Sequence, residues 1–129
     1  MINAVLDTNV IVSGLLSAHG NPAKIVNALK DRRFNLLYND DIMLEYRDVL
    51  FRTKLGLDPK DINDLLEEIT KTGFPVIPEK SSIPLPDEDD RVFYDTAKTM
   101  NVYLVTGNFK HFPNDSLIIS PVAFAELIY

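Results

Sequence analysis

Ile2-Asn3-Ala4-Val5-Leu6-Asp7-Thr8-Asn9-Val10-Ile11-Val12 decides how the rest of the chain is read. An apolar run of β type, Ile2 to Leu6, ends abruptly in Asp7-Thr8-Asn9, and apolar sequence then resumes at once. Open α/β sheets place ligands and metals where such a strand gives way to a helix, so Asp7 is the first candidate site residue. Acidic or amide residues recur at comparable places downstream: Glu45, the run Asp87-Glu88-Asp89-Asp90, and Asn108. If the fold gathers them, they make a metal site.

Outward from that stretch, strands and helices alternate. Asn21-Pro22 opens a helix carrying Ile25, Val26 and Leu29 at helical spacing, closed by Lys30 to Arg33, and Phe34 to Tyr38 follows as a buried strand. Asn39, Asp40 and Asp41 supply the N-cap of a helix with an apolar stripe of Ile42, Tyr46, Val49 and Leu50, and Glu45 lies one turn into it. Asp58-Pro59 starts another helix, with Ile62, Leu65, Leu66 and Ile69 on its inner face and Gly73 at its end. Phe74 to Ile77 is expected as a short edge strand, because Pro75 and Pro78 cannot donate to a ladder. A loop at Pro84-Leu85-Pro86 leads to a helix from Asp89 or Asp90 to Met100, a strand from Val102 to Val105 broken by Thr106-Gly107-Asn108, a last strand from Leu117 to Ile119, and a helix capped by Ser120-Pro121. Alternation of this kind implies parallel pairing through crossovers, hence a three-layer α/β/α sandwich with a central, mainly parallel sheet. The strand-end residues Asp7 and Asn108 should then face one crevice.

The 129 residues are 46% hydrophobic and 25% charged, which suits one domain spanning 1–129 with a core of its own. There is no cysteine, so disulfides and thiolate chemistry are excluded. No apolar stretch approaches the roughly 20 residues needed to span a bilayer, and the N-terminus lacks a secretory pattern, so a cytoplasmic protein is expected, with no membrane partner. A net charge of −6 and a pI near 4.8 argue against nucleic-acid binding through the overall field, but the formal count ignores any bound divalent cation.

Three carboxylates about 4 Å apart repel by roughly 4 kcal/mol per pair at an effective dielectric near 20, so gathering them requires a cation or raised pKa values. Mg²⁺ or Mn²⁺ is the simplest compensation, since it prefers oxygen ligands and is held by one or two carboxylates together with substrate phosphate. Each acid also has a plainer reading. Asp7 suits an Asx turn, Glu45 a solvated helix surface, and the acidic run a favourable interaction with a helix dipole, although the dipole accounts for one or two acids better than four. Within the run, Arg91 stands at helix-surface spacing from both Asp87 and Asp95, which makes those acids candidates for ion pairs. Asp90 and Asp95 lie about 140° apart around a helix and should not share an ion. Asp90 is the preferred ligand, with Asp87 and Asp89 as alternates. His19 and His111 lack the paired spacing of a zinc motif and read as surface or loop-packing residues. GxGxxG, GxxxxGK[ST] and GxSxG are all absent.

The ordered set Leu6-Asp7-Thr8-Asn9-Val10, Glu45, Asp87-x-Asp89-Asp90 leading into Val92-Phe93 and Ala97, Leu104-Val105-Thr106-Gly107-Asn108, and Ser120-Pro121-x-x-Phe124 resembles a PIN domain across almost the whole chain. More narrowly, it resembles the prokaryotic PIN proteins that serve as toxin components of type II toxin-antitoxin systems. The resemblance implies a ribonuclease centre dependent on Mg²⁺ or Mn²⁺, with Asp7, Glu45 and Asp90 as catalytic and metal-binding acids. Thr8 or Asn9 and Thr106 match the supporting polar residues, and the family's fourth acid falls at Asn108, where many toxin relatives also carry asparagine. It further implies an RNA substrate, a homodimer and a cognate antitoxin protein. Lys24, Arg47, Arg52 or Lys54 could contact substrate phosphates. A PIN scaffold of weakened activity that binds RNA or a partner protein is the main alternative, and Asn108 is its best support. A receiver-like signalling domain would need a lysine at a late strand end, where Thr106-Gly107 stands, and a haloacid-dehalogenase-like phosphatase would need Asp-x-Asp in place of Asp7-Thr8-Asn9.

Overall fold

A computed structural model describes residues 1–129. Its five strands, β1 (Asn3–Leu6), β2 (Asn35–Tyr38), β3 (Phe74–Pro75), β4 (Tyr103–Val105) and β5 (Ile118–Ile119), form one sheet in the order β3-β2-β1-β4-β5. Every neighbouring pair is parallel. Six helices flank it: α1 (Thr8–Leu16), α2 (Asn21–Lys30), α3 (Asp40–Leu50), α4 (Pro59–Thr72), α5 (Arg91–Met100) and α6 (Pro121–Ile128). α2 packs on both α1 and α6, α3 packs on α4 and α5, and the whole is an α/β/α sandwich.

The strand sequences explain their places. Ala4, Val5 and Leu6 are fully buried, as a central parallel strand covered by helices on both faces requires. β3 is two residues long and contains Pro75, whose missing N–H is tolerated at the sheet's edge. From β1 the chain builds outward to β2 and β3, then returns to the other side of β1 for β4 and β5. The direction of winding therefore reverses between β1 and β4, and a crevice opens beyond the C-terminal ends of those two strands.

Helix starts fall where side chains can cap them. Asn39 accepts from the Ile42 amide at 3.0 Å, Asp58 from the Lys60 amide at 2.9 Å, and Ser120 from the Ala123 amide at 3.1 Å, with Pro59 and Pro121 at first helical positions. The acidic run departs from the sequence reading: Glu88–Asp90 forms a 3₁₀ turn, and α5 begins only at Arg91. The expected pairing of Arg91 with Asp87 or Asp95 is corrected as well. Arg91 pairs with Glu88 and donates to the carbonyls of Ser81 and Ile83, while buried Asp95 accepts from the Ser81 amide at 3.1 Å. The segment before the turn folds back along α5, so backbone groups take the partners that helix spacing alone had assigned to side chains.

α1 packs tightly against α2 at Gly14, where an added Cβ would lie 2.5 Å from Val26 Cγ2 and 2.7 Å from the Pro22 carbonyl oxygen. Alanine is the better helix former by about 1 kcal/mol, but overpacking of this kind costs roughly 1–3 kcal/mol. Gly14→Ala is expected to lower the thermal midpoint by a few degrees, on the order of 3–6 °C. A melt with an unchanged or higher midpoint would refute the close packing of these helices.

Candidate active site

Asp7 is the single residue between β1 and α1. Its backbone amide continues the sheet by donating to the Val105 carbonyl at 3.0 Å, which sets its side chain over the β1/β4 junction. That carboxylate does not cap α1. It accepts the Thr106 hydroxyl at 2.7 Å, and the Thr106 oxygen in turn accepts the Asn108 amide at 3.0 Å. Asp7 is buried, 6% exposed, and Thr106 is wholly so. Together they hold the ends of β1 and β4 in register above the crevice.

α3 delivers Glu45. Tyr46, its neighbour, is fully buried against Phe93 and donates from its hydroxyl to the Leu6 carbonyl at 2.6 Å. Burial, with the charge of Asp7 nearby, raises the Tyr46 pKa well above its ordinary value, so it stays a neutral donor. With Tyr46 pinned to the end of β1, Glu45 is turned toward the crevice. Asp90 ends the 3₁₀ turn before α5, and its Oδ2 lies 2.9 Å from His111 Nδ1. His111 belongs to a second 3₁₀ turn, Phe109–His111, that follows Asn108 directly.

These pieces bound one cavity of about 280 Å³, lined by Asp7, Thr8, Asn9, Glu45, Asp90, Asn108 and His111 with Val12, Ser13 and Val49. Asp7, Glu45 and Asp90 thus share a cavity with Thr8, Asn9 and Asn108, while Thr106 stands behind Asp7. The alternates Asp87 and Asp89 are exposed and do not line it; Asp87 instead accepts from the Asp89 amide at 3.0 Å. No three His, Asp or Glu side chains stand close enough to enclose a metal ion, so the acids face a common space without converging on one point.

The charges nonetheless feel one another. Burial raises the Asp7 carboxyl above its ordinary pKa; the Thr106 hydrogen bond pulls it back and the charge of Asp90 adds to the rise. Glu45 is raised by burial and by Asp89, relieved in part by Arg52, and raised again by Asp48 and Asp7. Asp90 is raised by burial, relieved by His111, and raised by Asp87 and Glu45. The buried oxygens of Thr8 (Oγ1) and Asn9 (Oδ1) have no hydrogen-bond partner. Raised carboxylates beside unpartnered oxygens form a donor set of the kind that a hard, oxygen-seeking cation satisfies.

Among the basic candidates, only Arg52 leaves an electrostatic mark on the site acids, through Glu45. Arg47 lines a groove between α3 and α4 instead, and Lys24 and Lys54 are exposed. His111 is the residue that sequence reasoning missed. Its signal was its place three residues after Asn108, within reach of one short turn.

Comparison with protein families adds one finding: the PIN domain family model matches residues 3–110. The chain belongs to the PIN domain family. PIN domains are generally metal-dependent nucleases, and membership of the family supports a hydrolase. No curated protein and no solved structure matches it. No helix of this PIN domain is long and apolar enough to cross a membrane.

A raised acid pKa is a cost to the folded state that is fully present above the raised value and vanishes below the unfolded one. Asp7→Asn removes this cost and keeps an oxygen for Thr106. Without added metal, the variant is expected to melt on the order of 3 °C higher at neutral pH, and the gain should fade as pH drops through the raised value toward that of an exposed aspartate. Thermal melts across that range check it, and a destabilised variant at neutral pH would contradict the burial of an uncompensated charge.

Proposed function

We propose that this PIN domain is a Mg²⁺- or Mn²⁺-dependent endoribonuclease. One observation carries the reading. Asp7, Glu45 and Asp90 bound one cavity at the switch point of the sheet, and each is raised by the charge of another of the three. A polyanionic strand is repelled from such a cavity unless a cation reverses its sign.

Mg²⁺ and Mn²⁺ bind through one or two carboxylates and keep several waters, so acids that share a cavity without closing on one point suit them. When bound, the cation supplies polarisation of a phosphoryl oxygen and a lowered pKa for water. Asp7, anchored by Thr106, and Asp90, anchored by His111, are the residues that would hold it. Glu45 completes this set or orients the attacking water, and its raised pKa suits it to accept that water's proton. Thr8 and Asn9 supply neutral oxygens beside Asp7. Arg52 contacts a phosphate of the RNA.

The toxin role in a type II toxin-antitoxin system, a cognate antitoxin protein and a homodimer rest on the resemblance of the motif set to prokaryotic toxin components, and a cytoplasmic setting on the sequence reading that no apolar stretch is long enough to span a bilayer. A second reading, a PIN scaffold that binds RNA or a partner protein with little catalysis, is favoured by Asn108 and by the lack of a tight trio of acids.

Purified wild type and Asp7→Asn, incubated with a panel of RNAs with Mn²⁺ or with EDTA, separate the readings. Wild type should cleave with Mn²⁺ and stop in EDTA, and Asp7→Asn should lose more than about 100-fold in rate while remaining folded. Equal rates in the two proteins would sink the nuclease proposal, and RNA binding without cleavage would favour the scaffold. Arg52→Ala should raise KM for RNA by roughly 3- to 10-fold with kcat little changed, a difference that shrinks at high salt. A KM insensitive to this change would remove Arg52 from the substrate path.

A further inference from the structure

The two acids that flank the switch point are joined by one hydrogen-bonded chain. It runs from Asp7 to the Thr106 hydroxyl, on to the Asn108 amide, through the turn that Asn108 opens, and from His111 to Asp90. Asp7 has a buried hydroxyl to hold its carboxylate. Asp90, by contrast, lies in a turn of exposed acids, and the only side chain that hydrogen-bonds it is His111.

The His111 ring stands between two side chains of the cavity. Nδ1 lies 2.9 Å from the Asp90 carboxylate, and the Asn108 side-chain nitrogen lies 3.2 Å from Nε2 and 3.4 Å from Nδ1. The amide at position 108 and the histidine three residues on are in direct contact and form one unit.

We propose that His111, set by Asn108, is a positioning residue of this site: it fixes the Asp90 carboxylate so that its other oxygen is presented to a divalent cation in the cavity. The role rests on the nuclease reading for its effect on cleavage, whereas its effect on metal binding is read independently. The hydrogen bonds that orient a ligating carboxylate typically sustain about 10- to 100-fold in metal affinity.

The test compares His111→Ala, His111→Asn and His111→Gln with wild type by Mn²⁺ titration calorimetry, by thermal melting without metal, and by RNA cleavage at Mn²⁺ concentrations saturating for each. Asparagine places an N–H donor where Nδ1 was, and glutamine places one where Nε2 was. His111→Ala should bind Mn²⁺ about 10- to 100-fold more weakly. His111→Asn should recover most of that loss and His111→Gln little of it, with similar melts throughout. Should the alanine variant fail to fold, the asparagine and glutamine pair still decides. Unchanged Mn²⁺ affinity in His111→Ala, equal affinity in the asparagine and glutamine variants, or a wild type that binds no Mn²⁺ would overturn the proposal. Wild type that binds Mn²⁺ in a His111-dependent way but cleaves no RNA would sink the nuclease reading and leave the positioning role standing.

Discussion

The Thr106 hydroxyl donating to the Asp7 carboxylate spans the place where the winding of the sheet reverses, and the geometry of the cavity depends on it. β1 and β4 are brought together by parallel pairing of Leu6 with Val105, which extends one residue further through the Asp7 amide. Backbone pairing alone would fix the two strand ends but leave the carboxylate free to rotate, for instance to cap α1. The hydroxyl removes that freedom. It also links Asp7 to the Asn108 amide, so the loop after β4 is placed by the same oxygen that places the acid.

That arrangement stores electrostatic cost. An acid 6% exposed in a cavity shared with two others cannot recover its lost hydration from a single hydroxyl, and all three carboxyls are accordingly raised. Folding tolerates this because the surrounding packing over-determines the positions. Ala4 to Leu6 are fully buried beneath Asp7, and Tyr46 ties α3 to the Leu6 carbonyl. The same rigidity is what a site needs if its charge is to act on a ligand rather than relax away from it. The protein's net charge of −6 is thus less informative than where the charge lies: Asp48, Asp87 and Asp89 add to the field of the site acids, and His111 and Arg52 are the groups that offset it.

The elements with strong periodicity or an unambiguous cap were legible in the sequence. Asn39, Asp58 and Ser120 start their helices where expected, and β1 announces itself by an apolar run ending in an acid. The 3₁₀ turn at Glu88–Asp90 was not legible, because four acids before an apolar helical face read equally well as a helix start. Arg91 was misassigned for a related reason: its partners are Glu88, in the 3₁₀ turn rather than on the helix, and the carbonyls of a loop that folds back. Asp7, Glu45 and Asp90 stand out as acids at element boundaries and fall around one cavity. His111 does not stand out, since nothing local marks a histidine whose partner lies 21 residues away on another turn. Arg47 shows the converse, a basic residue in the right helix whose angular position sends it to the α4 side.

Asn108 looks like a lost acid when the motif is read as a row of carboxylates, yet its surroundings give it work that an acid would do poorly. Its backbone amide is taken by Thr106, and its side-chain nitrogen faces the imidazole that holds Asp90. A fourth carboxylate here would add repulsion to a cavity already short of compensating charge. The amide avoids this repulsion. It gives up one ligand's worth of negative charge and contacts the histidine that holds Asp90, which shifts the balance of the site from electrostatic pull on a cation toward geometric control of the acids that remain.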